Sequence, residues 1–255
     1  MENNVEIRRQ EILSMLTKDG QVEVATLSRL FGVSAVVIRK DLQELEDKGL
    51  LSRVHGGAVS SYKTYYNMSF RQRSQSNESE KHAIAEYIAD VVDDNDTLFI
   101  NAGTTTLFCF RALMGRKNLN IVTNSVAIAI EASEVQGTNV VLLGGSVNSK
   151  YQFTYGTEAM RLLKRYHADK LILSVDGVSA DDGLTTYYQQ EADLCFEMMQ
   201  RAAKTIVVAD HTKIARTTFT KIAPLTSADM IVTNENTSKS TLNKLKKSGV
   251  EIITV

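Results

Sequence analysis

Apolar residues recur at helical spacing through residues 5–16, where Ile12, Leu13 and Leu16 share one side of a helix. Arg8, Arg9, Gln10 and Glu11 fill the remaining positions, and Asp19-Gly20 is a stop signal. Gln21-Val22-Glu23 reads as a short strand, and residues 24–31 predict a second helix with Leu27, Leu30 and Phe31 turned inward. Gly32-Val33-Ser34 predicts a tight turn, whose serine hydroxyl can accept from an orphan amide at the start of a third helix. Projected at about 100° per residue, that helix (35–48) divides into two faces. Ile38, Leu42 and Leu45 lie on one, and Val36, Arg39, Lys40 and Gln43 on the other. Residues 50–59 then alternate enough for two short strands around Gly56-Gly57, carrying Arg53 and His55.

Between residues 60 and 80 the periodicity lapses into a polar, aromatic stretch that predicts a linker between domains at 1–59 and 81–255. Its Tyr62, Tyr65, Tyr66 and Phe70 are residues that can stack on bases, but aromatic side chains in a linker more often pack on a neighbouring domain, and packing is the favoured reading. Beyond Lys81, helical patterns alternate with β-branched runs at 97–100, 120–122, 140–143, 171–175, 205–209, 230–232 and 251–254. That rhythm predicts an α/β domain built on a largely parallel sheet.

Composition narrows the class. With 255 residues, 43% hydrophobic and 23% charged, the chain has the balance of a globular protein. The N-terminus has no apolar signal core and no later run is long enough to span a bilayer, so a cytoplasmic protein without a membrane partner is expected. Cys109 and Cys195 lack the spacing of metal or redox motifs and read as small buried hydrophobes. The four histidines, His55, His82, His167 and His211, form no ligand-spaced cluster, so neither metal nor cofactor is expected. A net charge of -1 offers no general attraction to nucleic acid, and any DNA contact must come from a local patch.

The third helix supplies such a patch. A helix entering the major groove needs small residues at its start, followed by cations and amides that reach phosphates and base edges. Ser34, Ala35, Val36, Val37, Arg39, Lys40 and Gln43, with Arg53 and His55 from a wing, form the expected DNA-facing set. A protein-protein module with a merely solvated charged face is the bland alternative, which Glu44, Glu46 and Asp47 support. The pattern running from Arg8, Ile12 and Leu16 through Gly20, Val22, Val24 and Leu27 continues into Phe31-Gly32-Val33-Ser34. It then runs through Val37-Ile38-Arg39-Lys40-Asp41-Leu42, Leu45 and Gly49 to Arg53-Val54-His55-Gly56-Gly57-Ala58. This closely resembles the N-terminal signature of DeoR-family bacterial regulators, and the resemblance implies a winged helix-turn-helix that binds operator DNA. The family more usually has Thr and Arg where this chain has Val37 and Lys40, which removes a hydroxyl and a bidentate donor and implies a different operator preference. Phe70, Arg73, Asn77, Lys81, Ile84 and Ala85 also resemble the family's interdomain junction.

In the larger domain the first six strands run into polar or small residues, as a ligand crevice beyond the carboxyl ends of parallel strands requires. Gly103-Thr104-Thr105-Thr106 suits a phosphate, because glycine permits close approach and a helix start offers amides and a positive dipole end. Lys213 adds a charge, and His211 is a candidate for ligand contact or for capping. Ordinary turn and cap roles explain any one of these loops equally well; six together favour a polar ligand. These segments resemble the DeoR-family sensor domain, itself similar in fold to ribose-5-phosphate isomerase and coenzyme A transferases. The resemblance spans about residues 7–234. It implies that Gly103, Thr104, Thr105 and Thr106 form a phosphate loop. Asn124, Ser125, Gly144, Gly145, Asp176, Gly177, Gly183, Glu191, Asp210 and Lys213 then match other pocket motifs. Asn101 stands where the family often has Asp, which removes an anionic acceptor for sugar hydroxyls.

The expected protein is therefore a transcription repressor of a carbohydrate-catabolism operon, relieved by a phosphorylated sugar and acting as a homo-oligomer, dimer or tetramer. The rival is a sugar-phosphate isomerase-like enzyme carrying a DNA-binding head, for which Asp176, Glu191 and Lys213 are the right residue types.

Overall fold

The computed structural model describes residues 2–19, 21–48, 50–54, 56–60, 68–135 and 138–255. The chain divides into two compact units, Met1–Glu78 and Ser79–Val255. No helix among the described residues is long and apolar enough to cross a membrane.

The first unit runs α1 (Glu2–Asp19), β1 (Gln21–Glu23), α2 (Val24–Phe31), α3 (Ala35–Asp47), β2 (Leu51–Val54), β3 (Gly57–Ser60) and α4 (Phe70–Gln75). Ile12, Leu16, Val22, Leu27, Ile38, Leu42, Leu45 and Leu51 close around one small core. In α2 the inward line is Val24, Leu27 and Phe31, at i, i+3 and i+7. Leu30 falls outside that line and is 60% exposed, which corrects its predicted place in the core. The strands form an antiparallel sheet in the order β1-β3-β2, with Val22 opposite Ala58. Gly57 is obligatory there, because a Cβ at this position would stand 2.0 Å from the Val22 carbonyl oxygen.

Helix α1 is fixed to α3 by charge as well as by apolar packing. Asp41, 2% exposed, accepts from Arg8 Nε at 2.7 Å and Arg9 Nε at 2.8 Å, while Arg9 also reaches Glu44 at 2.6 Å. A buried carboxylate between two guanidinium groups holds its geometry tightly, since losing either partner leaves a charge without compensation.

The second unit opens with α5 (Glu78–Val91) and continues β4 (Thr97–Ile100), α6 (Thr104–Ala112), β5 (Asn120–Thr123), α7 (Val126–Ala132), β6 (Asn139–Leu142), β7 (Ser146–Asn148) and β8 (Phe153–Tyr155). It proceeds through α8 (Thr157–Leu163), β9 (Ala168–Ser174), β10 (Gly177–Ser179), β11 (Gly183–Thr186), α9 (Gln189–Arg201), β12 (Ala202–Val208), β13 (Thr220–Ala223), β14 (Met230–Thr233), α10 (Lys239–Lys246) and β15 (Glu251–Thr254). Seven strands form one parallel sheet in the order β15-β14-β12-β9-β4-β5-β6. Phe99, Leu171, Leu173, Val207 and Ile231 join one core cluster, while the alternate residues Leu98, Ile100, Ile172, Ile206 and Val232 are equally buried. Burial on both faces is what makes these strands read as near-continuous apolar runs.

Strand order fixes the site. From β4 the chain builds outward through β5 to β6, then returns to lay β9 against the other side of β4 and builds outward again. The β4/β9 boundary is thus the switch point, the place where open parallel sheets bind ligands beyond the carboxyl ends of their strands. The β10-β11-β13 sheet and the β7-β8 hairpin are antiparallel additions that the periodicity of the sequence did not predict.

Replacing Asp41 by Ala should destabilise the first unit by about 3 kcal/mol, whereas Leu30→Ala should cost less than about 0.5 kcal/mol. Hydrogen exchange at the α1 and α3 amides would read both, and equal protection in the two variants would refute the role given to Asp41.

Candidate functional site

The leading turn of α3 is built to approach a surface. Ser34 caps it, its hydroxyl accepting from the Val37 amide at 3.4 Å. Val36 is 71% and Val37 38% exposed, with Arg39 and Lys40 exposed beside them and Ala35 half-buried against the core. The acidic residues behind them are already engaged: Asp41 and Glu44 hold Arg8 and Arg9, and Glu46 accepts from the Arg53 amide at 2.7 Å. The cationic start of the helix is therefore not neutralised by them.

Gln43 and Arg53 turn out to be partners. Gln43 Nε2 donates to Asp47 at 2.9 Å, and its Oε1 accepts from the Arg53 guanidinium. Both ends of the amide are used within the unit, so Gln43 ties the β2–β3 wing to α3, a role that its place on the polar face did not disclose. His55 and the tyrosines at 62, 65 and 66 lie outside the described residues.

At the switch point of the sheet, the predicted polar residues fall into two groups. Asn101, Thr106, Asn124 and Ser125 are all 0% exposed and bonded within the protein. Asn101 Oδ1 accepts from the Ser174 amide at 2.7 Å and its Nδ2 donates to the Ser174 carbonyl at 2.9 Å, bridging the ends of β4 and β9. Asn124 Oδ1 accepts from the Ala102 amide at 2.8 Å, Ser125 caps α7, and the Thr106 hydroxyl turns back to the Asn101 carbonyl at 2.8 Å. These four side chains, expected as effector contacts, brace the loops, because a buried loop must satisfy its own amides. Glycines serve close packing too: a Cβ on Gly103 would lie 2.6 Å from Ser174 Cβ, one on Gly145 2.4 Å from the Tyr155 oxygen, and one on Gly177 2.5 Å from the Arg216 oxygen. Gly183 is likewise closed in, since a Cβ there would lie 2.3 Å from the Ala223 oxygen, while Gly144 faces open space.

The second group carries charge. Asp210, 3% exposed, and Lys213, 5% exposed, sit on the loop after β12, whose His211–Lys213 turn Asp210 caps by accepting from the Thr212 amide at 2.9 Å. Burial pushes Lys213 down to about 7; Arg216 and Lys81 push the same way, and Asp210 and Asp176 oppose them. Burial alone would raise Asp210, but Lys213, Lys81 and the Thr212 hydroxyl outweigh it and hold the carboxyl below its usual range. Lys81 (2% exposed) and Arg216 thus act on Lys213 and join the candidate site, an addition that sequence reasoning missed. Lys81 had stood out only as a junction residue, and Arg216 follows Ala215, a left-handed residue at φ 58° in a loop without periodicity.

Asp176 ends β9 and accepts from Thr186 at 3.0 Å and from the Tyr187 amide at 3.3 Å, while Glu191 accepts from the same Thr186 hydroxyl at 2.7 Å. The buried Thr104 and Thr105 open α6 after Gly103, which provides no side-chain cap. His211 Nε2 is buried with no hydrogen-bond partner among the described residues, and its Nδ1 lies 3.3 Å from Asn234. Cations, a helix start and an unsatisfied ring nitrogen suit an anion with hydroxyls, the carboxylates being acceptors for the latter. Cys109 and Cys195 are buried, and burial pushes both thiols up, which keeps them unreactive.

Comparison with known proteins agrees with both regions. Residues 8–64 match the DeoR-like helix-turn-helix domain, and residues 76–235 match the DeoR C terminal sensor domain. The chain is 33% identical over 250 residues to a putative aga operon transcriptional repressor of Escherichia coli O157:H7, covering 97% of this chain and 93% of that protein. It is 32% identical over 246 residues to the HTH-type transcriptional repressor CsqR of Escherichia coli K12 (96% and 94% covered). It is 29% identical over 248 residues to the HTH-type transcriptional repressor GlcR of Bacillus subtilis 168 (97% and 95% covered). A ribose 5-phosphate isomerase from Plasmodium falciparum matches at TM-score 0.40 and 15% identity, over 53% of this chain and 52% of that one, a likeness too slight to carry an argument. On the two domain matches and the near full-length relatives, the chain belongs to the DeoR family of transcriptional regulators.

Proposed function

We propose that this protein represses a carbohydrate-use operon and is released from operator DNA when a phosphorylated sugar enters the crevice at the switch point. The observation that carries the reading is the group of Lys81, Lys213 and Arg216 set against Asp176 and Asp210 inside the sheet's carboxyl edge. A phosphate supplies the anion that such cations favour, and Asp176 and Glu191 supply acceptors for sugar hydroxyls. The names of the relatives, among them the repressor of an aga operon, support the repressor direction. A homodimer or tetramer acting on paired half-sites is part of the proposal. By linkage, a ligand that weakens DNA binding is itself bound more weakly in the presence of DNA, by the same factor.

A lysine near 7 beside carboxylates would also suit proton abstraction from a sugar phosphate, so binding and turnover must be measured together. In a thermal-shift screen, a pentose or hexose phosphate at about 100 times its Kd should stabilise by about 2.7 kcal/mol. The corresponding free sugar should do far less, and the phosphate should be recovered unchanged. Sustained interconversion would replace the sensor reading with an enzyme.

Affinity should also depend on pH with a definite sign. A bound phosphate favours charged Lys213, so above pH 7 binding takes up a proton and affinity falls by up to tenfold per unit of rising pH. Below about pH 6 the phosphate itself loses charge, which leaves an optimum between these values. Lys213→Met should weaken binding and flatten the alkaline limb in isothermal titration; an unchanged limb would remove Lys213 from the site.

At the other unit, Arg39→Ala with Lys40→Ala should weaken DNA binding and reduce the slope of log K against log salt by about 0.9 for each DNA phosphate that is no longer neutralised. An unaltered slope would point to the protein-interaction alternative.

A further inference from the structure

Two β-branched apolar residues stand in succession at the most accessible end of α3, Val36 at 71% and Val37 at 38% exposure. Valine is a poorer helix former than alanine, and exposing it gains no burial, so neither helix stability nor solubility favours this pair. The residues around them are polar or cationic: Ser34 caps the turn behind, and Arg39 and Lys40 follow on exposed positions. The amide that would ordinarily be assigned to reading adenine is committed elsewhere, since Gln43 Nε2 donates to Asp47 and Gln43 Oε1 accepts from Arg53. A bidentate contact to adenine needs both of those atoms.

We infer that Val36 and Val37 read the 5-methyl groups of thymines in the major groove, and that they, not Gln43, set base preference at the leading end of α3. The thymine methyl is the apolar feature the major groove offers, and small branched side chains at the start of a recognition helix are the complement to it. Arg39 and Lys40 supply the cationic flank that brings this turn against the phosphates. The inference rests on the DNA-binding reading of α3 and deepens it, because it names what the helix recognises.

Uracil-substituted DNA separates the two. Duplexes are selected from a random-sequence pool on the full-length wild-type protein, and the winners are remade with uracil in place of thymine, which removes only the methyl groups. Selected sites should contain thymine, and the uracil version should bind about fourfold more weakly for each methyl contacted. The doubly substituted protein Val36→Ala with Val37→Ala, whose alanines favour the helix, should bind the thymine duplex more weakly and no longer distinguish it from the uracil duplex. Gln43→Ala should retain the wild-type ratio. Thymine-free winners, equal binding of the two duplexes, or the same ratio in the valine variant would each overturn the inference while leaving DNA binding intact. Failure to enrich any duplex would overturn both readings. A valine variant that keeps its DNA affinity but changes oligomeric state would assign the pair to a protein interface instead, and the inference would fall.

Discussion

Burying positive charge is costly unless something negative is held nearby, and the larger unit is organised around that constraint. Lys213 is buried inside the carboxyl edge of a parallel sheet, where Lys81 and Arg216 disfavour its charge and Asp176 and Asp210 are the counterweights. Burial, reinforced by Arg216 and Lys81 and opposed by Asp210 and Asp176, leaves Lys213 at about 7, neither firmly charged nor firmly neutral. A site in that state responds strongly to an arriving anion. The sheet's topology marks the location, because β9 returns beside β4 and makes the switch point there.

Around the charges lies a rigid frame. Asn101 joins the ends of β4 and β9, Asn124 holds the Ala102 amide, and Gly103 admits Ser174 at a distance no other residue would tolerate. Preorganised loops of this kind lower the ordering cost of binding. The smaller unit follows a similar logic, with one buried carboxylate, Asp41, anchoring two arginines of α1 and thereby the helix that carries Val36, Arg39 and Lys40.

Much of this was legible in the sequence, and the failures have physical causes. All seven strands of the parallel sheet overlap the β-branched runs, and the central ones, β4, β9, β12 and β14, are apolar through most of their length because both of their faces are buried. The serine cap, the face of α3 that holds Ile38, Leu42 and Leu45, and the hairpin around Gly56-Gly57 followed from local rules. What escaped depended on tertiary context. The strands of the β10-β11-β13 sheet, Gly-Val-Ser, Gly-Leu-Thr-Thr and Thr-Lys-Ile-Ala, mix glycine, polar and charged residues with few apolar ones, so no β-branched apolar run marks them. Leu30 lies one position outside the buried line, a distinction that residue type does not carry. The bracing bonds of Asn101 and Asn124 were not legible, because polarity at a strand end looks the same whether it meets a ligand or a neighbouring amide. Lys81 is remote in sequence from the loop that carries Lys213, and Arg216, only three positions after Lys213, sits in a stretch without periodicity, so no motif reports either.

Everything proposed for the larger unit requires Lys213 to sit in a buried site that disfavours its charge. Side-chain nitrogen NMR of the lysines, recorded across a pH titration with Lys213→Met for assignment, addresses this directly. One lysine should titrate near 7 in the free protein, be absent from the variant and move upward when a sugar phosphate binds. If Lys213 instead titrates with the ordinary lysines near 10.4 in the free protein, the proposed anion site is contradicted.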